Sequence, residues 1–379
     1  MLISCTGTFS NIERDKDHTP ARNYALTGDI KAEVDSLAKP LIEKDKTPGL
    51  VVGVLLPDGR KTFFGYGVTE KDNGSRPDEN TLFAIGSTSK AFSGAAASIM
   101  VQEGELSWNN TLGELLPANI SLSADAQNIS LLQLATHTSG LPRQPLTLRT
   151  SMYFIQYLFT GRSFYRHFDK DYLMKYLADF KAPRDIQPQY SNIGFGILGY
   201  VLSLQAETPL EDLVQKKVLD PLGLTGTGYD PIQLPGYENR AIGYAGDQPK
   251  FIRRGKKAPD WEFTDIMLGS GGLYSTAGDM LSFARAHLYP CDEQTLKSAL
   301  QETLKVRIKG PHASRGIAWA VDIDNDCKII YQIGFVGGYS SYIGMNEDNR
   351  TAVVVLQNSF NWTESIGHRL LQRMAYAHQ

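Results

Sequence analysis

Hydrophobic positions recur along this chain with a helical period in some stretches and with the alternation of strands in others. From residue 29 onward, apolar side chains return every three or four positions, which predicts an amphipathic helix with Asp29 as its N-cap. Two β-rich runs then flank Pro57, Asp58 and Gly59, a turn sequence typical of a hairpin. Residues 6–26 show neither period, and we interpret residues 1–26 as a tail or a lipoprotein linker.

The rest of the chain divides into a helical middle and a strand-rich end. Helical patterns broken by Pro/Gly loops dominate residues 88–220, and another helix is expected to begin near Thr276. Four strand-like runs follow, and a last amphipathic helix is expected from about Thr363. This order predicts one antiparallel sheet assembled from both termini. We expect an α+β fold in which residues 27–85 and 262–379 form the sheet domain and residues 86–261 a mainly helical domain.

Composition narrows the classes of partner. The 379 residues carry a net charge of -3, so the chain lacks the basic field of a nucleic-acid-binding protein. No apolar run reaches the ~18 residues of a membrane span. Gly194, Gly196 and Gly199 match the letters of a dinucleotide fingerprint, but no buried strand precedes them, and we interpret them as close packing at the start of a helix.

The cysteines leave two questions open. The first five residues, MLISC, resemble the lipobox at which bacterial lipoproteins are lipidated, yet no signal-peptide segment precedes Cys5. Membrane attachment is expected only through a lipid on Cys5, with a location in the periplasm or cell envelope. Cys291 and Cys327 are either a disulfide of an oxidising compartment or two buried thiols. No Cys/His spacing resembles a zinc site, and neither a metal nor a cofactor is expected.

A serine and a lysine lie three residues apart in GSTSKAFSGAAAS, at positions 87 and 90. On a helix this spacing places both side chains on one face. If that face is buried, desolvation lowers the pKa of Lys90 and lets its amine accept the proton of the Ser87 hydroxyl. Gly86 allows a sharp turn before the serine, and the small residues that follow indicate an internal helix. Ser87 is therefore a candidate nucleophile and Lys90 its candidate base.

Two later segments carry groups that complement this pair. PQYSN places Tyr190 and Asn192 in a loop before a helix, where a tyrosine can relay a proton and an amide can orient a lysine or a substrate carbonyl. YQIGFVGGYSSYIG has the pattern of a strand with glycines that permit close approach of a ligand, and its backbone amides suit an oxyanion. His137, in ATHTSGLP, is interpreted as a structural residue.

Together, Ser-x-x-Lys, Tyr-x-Asn and the glycine-rich strand resemble the serine β-lactamase and penicillin-binding protein superfamily. The similar branch holds class C β-lactamases, D-alanyl-D-alanine carboxypeptidases and β-lactamase-like esterases, and the resemblance covers about residues 30–379. It implies a β-lactamase/transpeptidase-like fold, an antiparallel sheet flanked by helices with an all-helical domain inserted. It also implies that Ser87 is acylated while Lys90 and Tyr190 share the acid and base work. Asn192 would contact Lys90 and the substrate amide, and the N–H groups of Ser87 and Phe335 would hold the oxyanion.

One departure from the family pattern falls in the strand. Where relatives carry Lys-Thr-Gly or His-x-Gly, this chain has Gln332, Ile333 and Gly334, so a neutral amide replaces a cation. In the family that cation helps to hold a substrate carboxylate, and one charge at ~4 Å contributes about 4 kcal/mol at an effective dielectric of 20. Gln332, Gly334 and Phe335 are the candidate substrate-binding residues of the strand. Arg143 or the basic run at 253–257 could supply the cation, although the run also suits a solvated loop.

The expected reaction is hydrolysis of a β-lactam or a D-alanyl peptide amide through an acyl-enzyme. A carboxylesterase is the alternative, and Gln332 favours it because a neutral ester needs no partner for a carboxylate. A penicillin-binding sensor that is acylated without turnover is a second alternative. The expected partner in each case is a small-molecule or peptide substrate.

Overall fold

The computed structural model describes residues 29–289, 293–310, 314–324, 327–361 and 366–376. The N-terminal tail with Cys5 lies outside these residues, as does Cys291, so lipidation and cysteine pairing stay predictions. Cys327 is buried. Within the described ranges, no helix combines the length and the apolar content that crossing a membrane requires.

Helices and strands occur in blocks along the described chain. The helices are α1 (Ile30–Glu43), α2 (Ser89–Gln102), α3 (Leu112–Leu115), α4 (Ala124–Gln127), α5 (Leu131–Ala135), α6 (Leu148–Thr160), α7 (Lys170–Ala178), α8 (Asn192–Gln205), α9 (Leu210–Val214), α10 (Asp220–Leu222), α11 (Ala277–Leu288), α12 (Gln294–Leu304) and α13 (Ile366–Tyr376). The strands are β1 (Gly49–Leu55), β2 (Lys61–Gly67), β3 (Phe83–Ala84), β4 (Tyr274–Ser275), β5 (Ser314–Arg315), β6 (Ala320–Asp324), β7 (Cys327–Val336), β8 (Tyr339–Asn346) and β9 (Thr351–Gln357). Asp29 caps α1 by accepting a hydrogen bond from the Lys31 amide, as predicted.

A seven-stranded antiparallel sheet is built from both ends of the chain, in the order β2-β1-β9-β8-β7-β6-β5. The amino-terminal strand β1 pairs with β2 on one side and with the carboxyl-terminal β9 on the other, so that Val52 lies opposite Phe64 and Val355. This confirms the α+β fold and the sheet assembled from both termini. The division into residues 27–85 with 262–379 and residues 86–261 stays a prediction.

Both faces of the sheet are covered, so its central strands have no solvent-facing side. Alternate residues of β1 enter two different hydrophobic clusters: Val51 and Leu55 face the side of α11, whereas Val52 and Val54 pack with α1 and α13. Every residue of β1 and of β9 is buried. Since a fully buried Val or Leu side chain contributes roughly 1.5–3 kcal/mol, the sheet is a firm support for β7 and β8.

Helix α2 lies inside the protein, as its small residues predict. Every residue from Ser89 to Met100 is buried, and a Cβ atom at Gly94 would stand 2.8 Å from the Ala318 side chain. The neighbouring helix α12, which the sequence pattern does not mark, accepts a 2.8 Å hydrogen bond from Ser98 at the carbonyl of Ala299. This packing fixes the amino-terminal end of α2, where Ser87 and Lys90 lie.

Candidate active site

Ser87 lies in the 3₁₀ turn Gly86–Thr88 that leads into α2. Gly86 has a φ of +51°, in the left-handed region that favours glycine, and a Cβ atom there would stand 3.0 Å from the carbonyl carbon of Phe335. A Cβ atom at Gly334 would stand 1.9 Å from the carbonyl oxygen of Ile85. The two glycines therefore let β7 lie directly against the segment that precedes the serine.

Lys90 points to Ser87 from inside the protein. The residue is completely buried, and its Nζ donates to Ser87 Oγ at 3.1 Å and to the carbonyl of Ser270. Burial holds the pKa of Lys90 well below its usual range, and the nearby Arg143 charge lowers it further. In the neutral form the same contact can carry the serine proton to the amine. The arrangement supports the predicted nucleophile and base.

The Ser270 carbonyl reaches Lys90 because α8 packs tightly against the 3₁₀ segment Asp265–Ser270. A Cβ atom at Gly196 would stand 2.7 Å from the Ile266 carbonyl oxygen, and one at Gly199 would stand 3.0 Å from Gly269 Cα. Gly196 and Gly199 of the apparent dinucleotide fingerprint thus permit close packing, as predicted. This packing holds the Ser270 carbonyl in place as an acceptor for Lys90.

Tyr190 completes the cluster around the serine hydroxyl. Its ring centroid lies 5.0 Å from Lys90 Nζ, and its hydroxyl is hydrogen-bonded with Ser87. Burial raises the pKa of Tyr190, and this outweighs the lowering by Arg143, by the Ser87 hydrogen bond and by Arg315. The phenol is therefore protonated at neutral pH, a form that can donate a proton.

His137 holds the backbone on both sides of Tyr190. The Gln189 amide donates to the His137 carbonyl at 2.8 Å, and the Ser191 amide donates to His137 Nδ1 at 3.1 Å. The His137 ring also packs against the tyrosine, with centroids 4.5 Å apart. Burial keeps the pKa of His137 well below its usual range, so the ring is neutral and Nδ1 is free to accept. Sequence reasoning treated this residue as merely structural, although its motif setting was the available signal.

Replacement of His137 tests whether its hydrogen bonds position Tyr190. We expect His137→Phe, which keeps a ring but removes the acceptor for the Ser191 amide, to lower kcat about tenfold with little change in KM. His137→Asn tolerates the positive φ of 61° and offers an amide oxygen as acceptor, so it should retain most of the activity. Steady-state kinetics on the best substrate measures both.

A second buried histidine supplies the matched control. His287 lies on α11 against Phe283 and Trp319, and His287→Phe should leave kcat unchanged while affecting thermal stability. Equal losses in His137→Phe and His137→Asn would contradict a role for the hydrogen bond to Ser191.

Asn192 has a different partner from the predicted one. Its Nδ2 donates to the hydroxyl of Tyr165, and its Oδ1 is buried with no hydrogen-bond partner among the described residues. Asn192 and Lys90 therefore form no hydrogen bond among the described residues, and the predicted contact between them stays a prediction. Leaving a buried carbonyl oxygen unsatisfied costs about 1–3 kcal/mol, so this atom is a ready acceptor for a substrate N–H group.

Gln332 lies on β7, as expected, but its side chain has hydrogen-bond partners within the protein. Its side chain is 1% exposed; Nε2 donates to the Ala318 carbonyl at 2.7 Å, and Oε1 accepts from the Ile333 amide at 3.0 Å. Both polar ends are thus used within the protein, so this placement does not support the predicted contact with substrate. The physical reason is that β7 extends beyond its pairing with β6, which stops at Tyr331. The side chain of Gln332 provides hydrogen bonds at the edge of β7 that β6 does not cover.

The register of β7 fixes the direction of the Phe335 amide. Val336 pairs with Tyr339 across the two-residue turn at 337–338, and hydrogen-bonded and non-hydrogen-bonded pairs alternate from there. Phe335, opposite Ser340, therefore turns its N–H group away from β8, toward the edge of β7 that β6 leaves unpaired beyond Tyr331.

Cations reach the site from other parts of the chain. The guanidinium carbon of Arg143 lies 5.1 Å from the Tyr190 ring centroid, and Arg143 is also hydrogen-bonded with Tyr165. The Arg143 carbonyl accepts from the Asn192 amide at 3.0 Å, which fixes this loop to the start of α8. Arg315, 6% exposed, is close enough to lower the pKa of Tyr190. The basic side chains at 253–257 are exposed, as a solvated loop requires.

Comparisons with known proteins agree with this geometry. A sequence model described as Beta-lactamase matches residues 34–377. A β-lactamase of Yersinia enterocolitica is 25% identical over 92% of this chain and 92% of its own length. The D-alanyl-D-alanine-carboxypeptidase/endopeptidase AmpH of Escherichia coli strain K12 is 25% identical over 94% of this chain and 90% of its own length. The crystal structure of a class C β-lactamase from Rhodobacter sphaeroides matches with a TM-score of 0.74 at 22% identity, over 91% of this chain and 97% of that one.

Proposed function

The chain belongs to the β-lactamase family and is a serine hydrolase, and we propose that Ser87 is the nucleophile that becomes acylated. The observation that carries this proposal is the completely buried Lys90, whose Nζ lies 3.1 Å from Ser87 Oγ. A buried amine kept neutral is a competent base, and the serine is the hydroxyl it can deprotonate.

In the proposed acylation, each bond that forms or breaks is matched by a proton transfer. Ser87 Oγ bonds the carbonyl carbon while Lys90 takes its proton, and the N–H groups of Ser87 and Phe335 stabilise the oxyanion. Tyr190, protonated because burial raises its pKa, donates its proton to the leaving nitrogen as the C–N bond breaks, and it regains a proton from Lys90. A water molecule later attacks the acyl carbon and gives a proton to Lys90, which returns it to Ser87 Oγ as the ester C–O bond breaks.

The proposed substrate is a β-lactam or a D-alanyl peptide amide. This class is supported by the similarity to a β-lactamase and to a D-alanyl-D-alanine-carboxypeptidase/endopeptidase. Arg143 beside Tyr190 supports it as well, because both substrates carry a carboxylate. Asn192 Oδ1 is the proposed acceptor for the N–H group of the substrate's acyl amide. We further propose a location in the periplasm or cell envelope, with lipid attachment at Cys5 supported by the lipobox resemblance alone.

A carboxylesterase is the second candidate, because the buried neutral Gln332 leaves β7 without the cation of relatives. A panel of nitrocefin, a D-alanyl-D-alanine peptide and short p-nitrophenyl esters distinguishes the candidates. Turnover of nitrocefin or of the peptide above the esters supports the first proposal, and cleavage of esters alone overturns it in favour of the esterase. Stoichiometric labelling by a fluorescent penicillin without turnover would instead identify a sensor.

Removal of the Arg143 charge tests its role in selecting a carboxylate. We expect Arg143→Met to lower kcat/KM for carboxylate-bearing substrates about tenfold to a hundredfold and for a neutral ester much less. The cation attracts a substrate carboxylate directly, whereas its effect on the pKa of Lys90 and of Tyr190 is common to both kinds of substrate. Loss of the cation should also raise the pKa of Tyr190. Arg285→Met is the matched control, because the guanidinium carbon of Arg285, on α11, lies 5.1 Å from the ring centroid of Tyr289, just as Arg143 lies beside Tyr190. Equal losses on both substrate types would exclude Arg143 as the carboxylate partner.

A further inference from the structure

Helix α6 turns an apolar stripe to solvent. Its apolar residues at spacings of four, three and four positions occupy one face, and the exposed fractions are 80% for Leu148, 63% for Met152, 47% for Ile155 and 61% for Phe159. The opposite face carries Tyr157, which is buried and packs against Trp261 with ring centroids 5.4 Å apart. A surface helix of a globular protein ordinarily buries such a stripe, so this arrangement indicates a surface that is covered by another body.

A second segment extends the stripe beyond the helix. Phe251, 56% exposed, stacks on Phe159 with ring centroids 4.5 Å apart. Its amide donates to the Leu158 carbonyl at 3.1 Å, so residues 250–257 are attached to the carboxyl-terminal end of α6. We call the exposed apolar residues of α6 together with Phe251 the α6 stripe.

The two segments that carry the α6 stripe are rich in basic residues. Residues 146–163 contain Arg149 and Arg162 and no acidic residue, although the whole chain has a net charge of -3. Residues 248–257 contain five more basic residues and again no acidic one. Arg254 and Lys257 pair with Asp247 and Glu70, while Lys250, Arg253 and Lys256 are exposed.

Exposed apolar side chains next to basic residues indicate what covers the α6 stripe. Large apolar and aromatic side chains beside lysine and arginine match the interface of a bilayer that contains anionic lipid. A second copy docked through the same stripe would bring the basic segments of both copies together, which like-charge repulsion disfavours. We propose that the α6 stripe and the basic segment at 250–257 dock this protein on the surface of an anionic membrane.

Flotation with lipid vesicles tests the proposal on the full chain. We expect binding to vesicles of equimolar phosphatidylglycerol and phosphatidylcholine, much weaker binding to phosphatidylcholine alone, and loss of binding at high salt. The double variant Met152→Gln/Phe159→Gln should reduce the partition coefficient at least about tenfold, because its apolar contact with the bilayer is lost. Arg253→Gln/Lys256→Gln should cause a similar loss on anionic vesicles only.

The control is a matched apolar change elsewhere on the surface. Ile232 is 66% exposed in the turn Pro231–Gln233, and Ile232→Gln should bind vesicles as the unchanged protein does. Thermal melting checks that each variant is folded, and the readout does not depend on the reaction catalysed. Absence of binding to anionic vesicles, or equal binding by all variants, would overturn the proposal. Concentration-dependent dimerisation lost in Met152→Gln/Phe159→Gln, without vesicle binding, would assign the stripe to a second copy instead.

Discussion

Ser87→Ala is expected to abolish covalent labelling by a fluorescent penicillin and to reduce turnover of every acyl substrate about a thousandfold or more. Lys90 Nζ and the Tyr190 hydroxyl are both hydrogen-bonded with the Ser87 hydroxyl. Without that hydroxyl, the proposed base and the proposed proton donor have no nucleophile to serve. The loss should appear in kcat, because the substrate contacts that we propose for β7 and Asn192 remain. Mass spectrometry of the intact protein after incubation with a penicillin measures the acylation directly.

A serine in the same helix provides the control for that result. Ser93 lies on α2, is buried, and donates to the Gly269 carbonyl at 3.0 Å. Ser93→Ala should be labelled like the unchanged protein, whereas a labelled Ser87→Ala protein would remove the proposed nucleophile altogether.

The parts of this site that sequence reasoning reaches are those set by local geometry. Ser87 and Lys90 are three positions apart where the chain enters a helix, so their contact follows from helical spacing once the helix is known to be buried. The sheet built from both termini follows from the order of the elements, a hairpin near one end and a run of strands near the other, and the pairing of β1 with β9 confirms it. Tyr190 requires the family resemblance, because nothing in a lone PQYSN segment brings it to residue 87.

The parts that sequence reasoning misplaces depend on which neighbour satisfies a buried polar group. Gln332 occupies the position at which the family resemblance leads us to expect a cation. Its side-chain amide is instead hydrogen-bonded with Ala318 and Ile333, because β6 begins only at Ala320, opposite Tyr331. The cation beside Tyr190 comes from Arg143, in a loop held by the first amides of α8. Periodicity reports that a helix has an apolar face, but it does not report that the face of α6 points outward.

Replacement of Lys90, the proposed base, has an equally large expected effect. Lys90→Met should abolish acylation, because no other amine contacts Ser87 Oγ in the described chain, and it should make the protein more stable at neutral pH than the unchanged protein is. Burial lowers the pKa of Lys90 in the folded state below its unfolded value, so unfolding takes up a proton between the two values. Stability of the unchanged protein therefore rises with pH across that window, and the advantage of Lys90→Met shrinks as pH approaches 10.5.

Unfolding in urea at successive pH values measures this difference. The difference in unfolding free energy between Lys90→Met and the unchanged protein should change by at most about 1.4 kcal/mol per pH unit. The variant also loses the hydrogen bond to Ser270, which lowers its stability at every pH by about 1–3 kcal/mol. Lys175 on α7 is exposed, and Lys175→Met should show no pH-dependent difference. Parallel stability curves for Lys90→Met and the unchanged protein would mean that Lys90 stays charged until alkaline pH. Ser87 would then need another base, because an ammonium group at 3.1 Å can polarise the hydroxyl but cannot accept its proton.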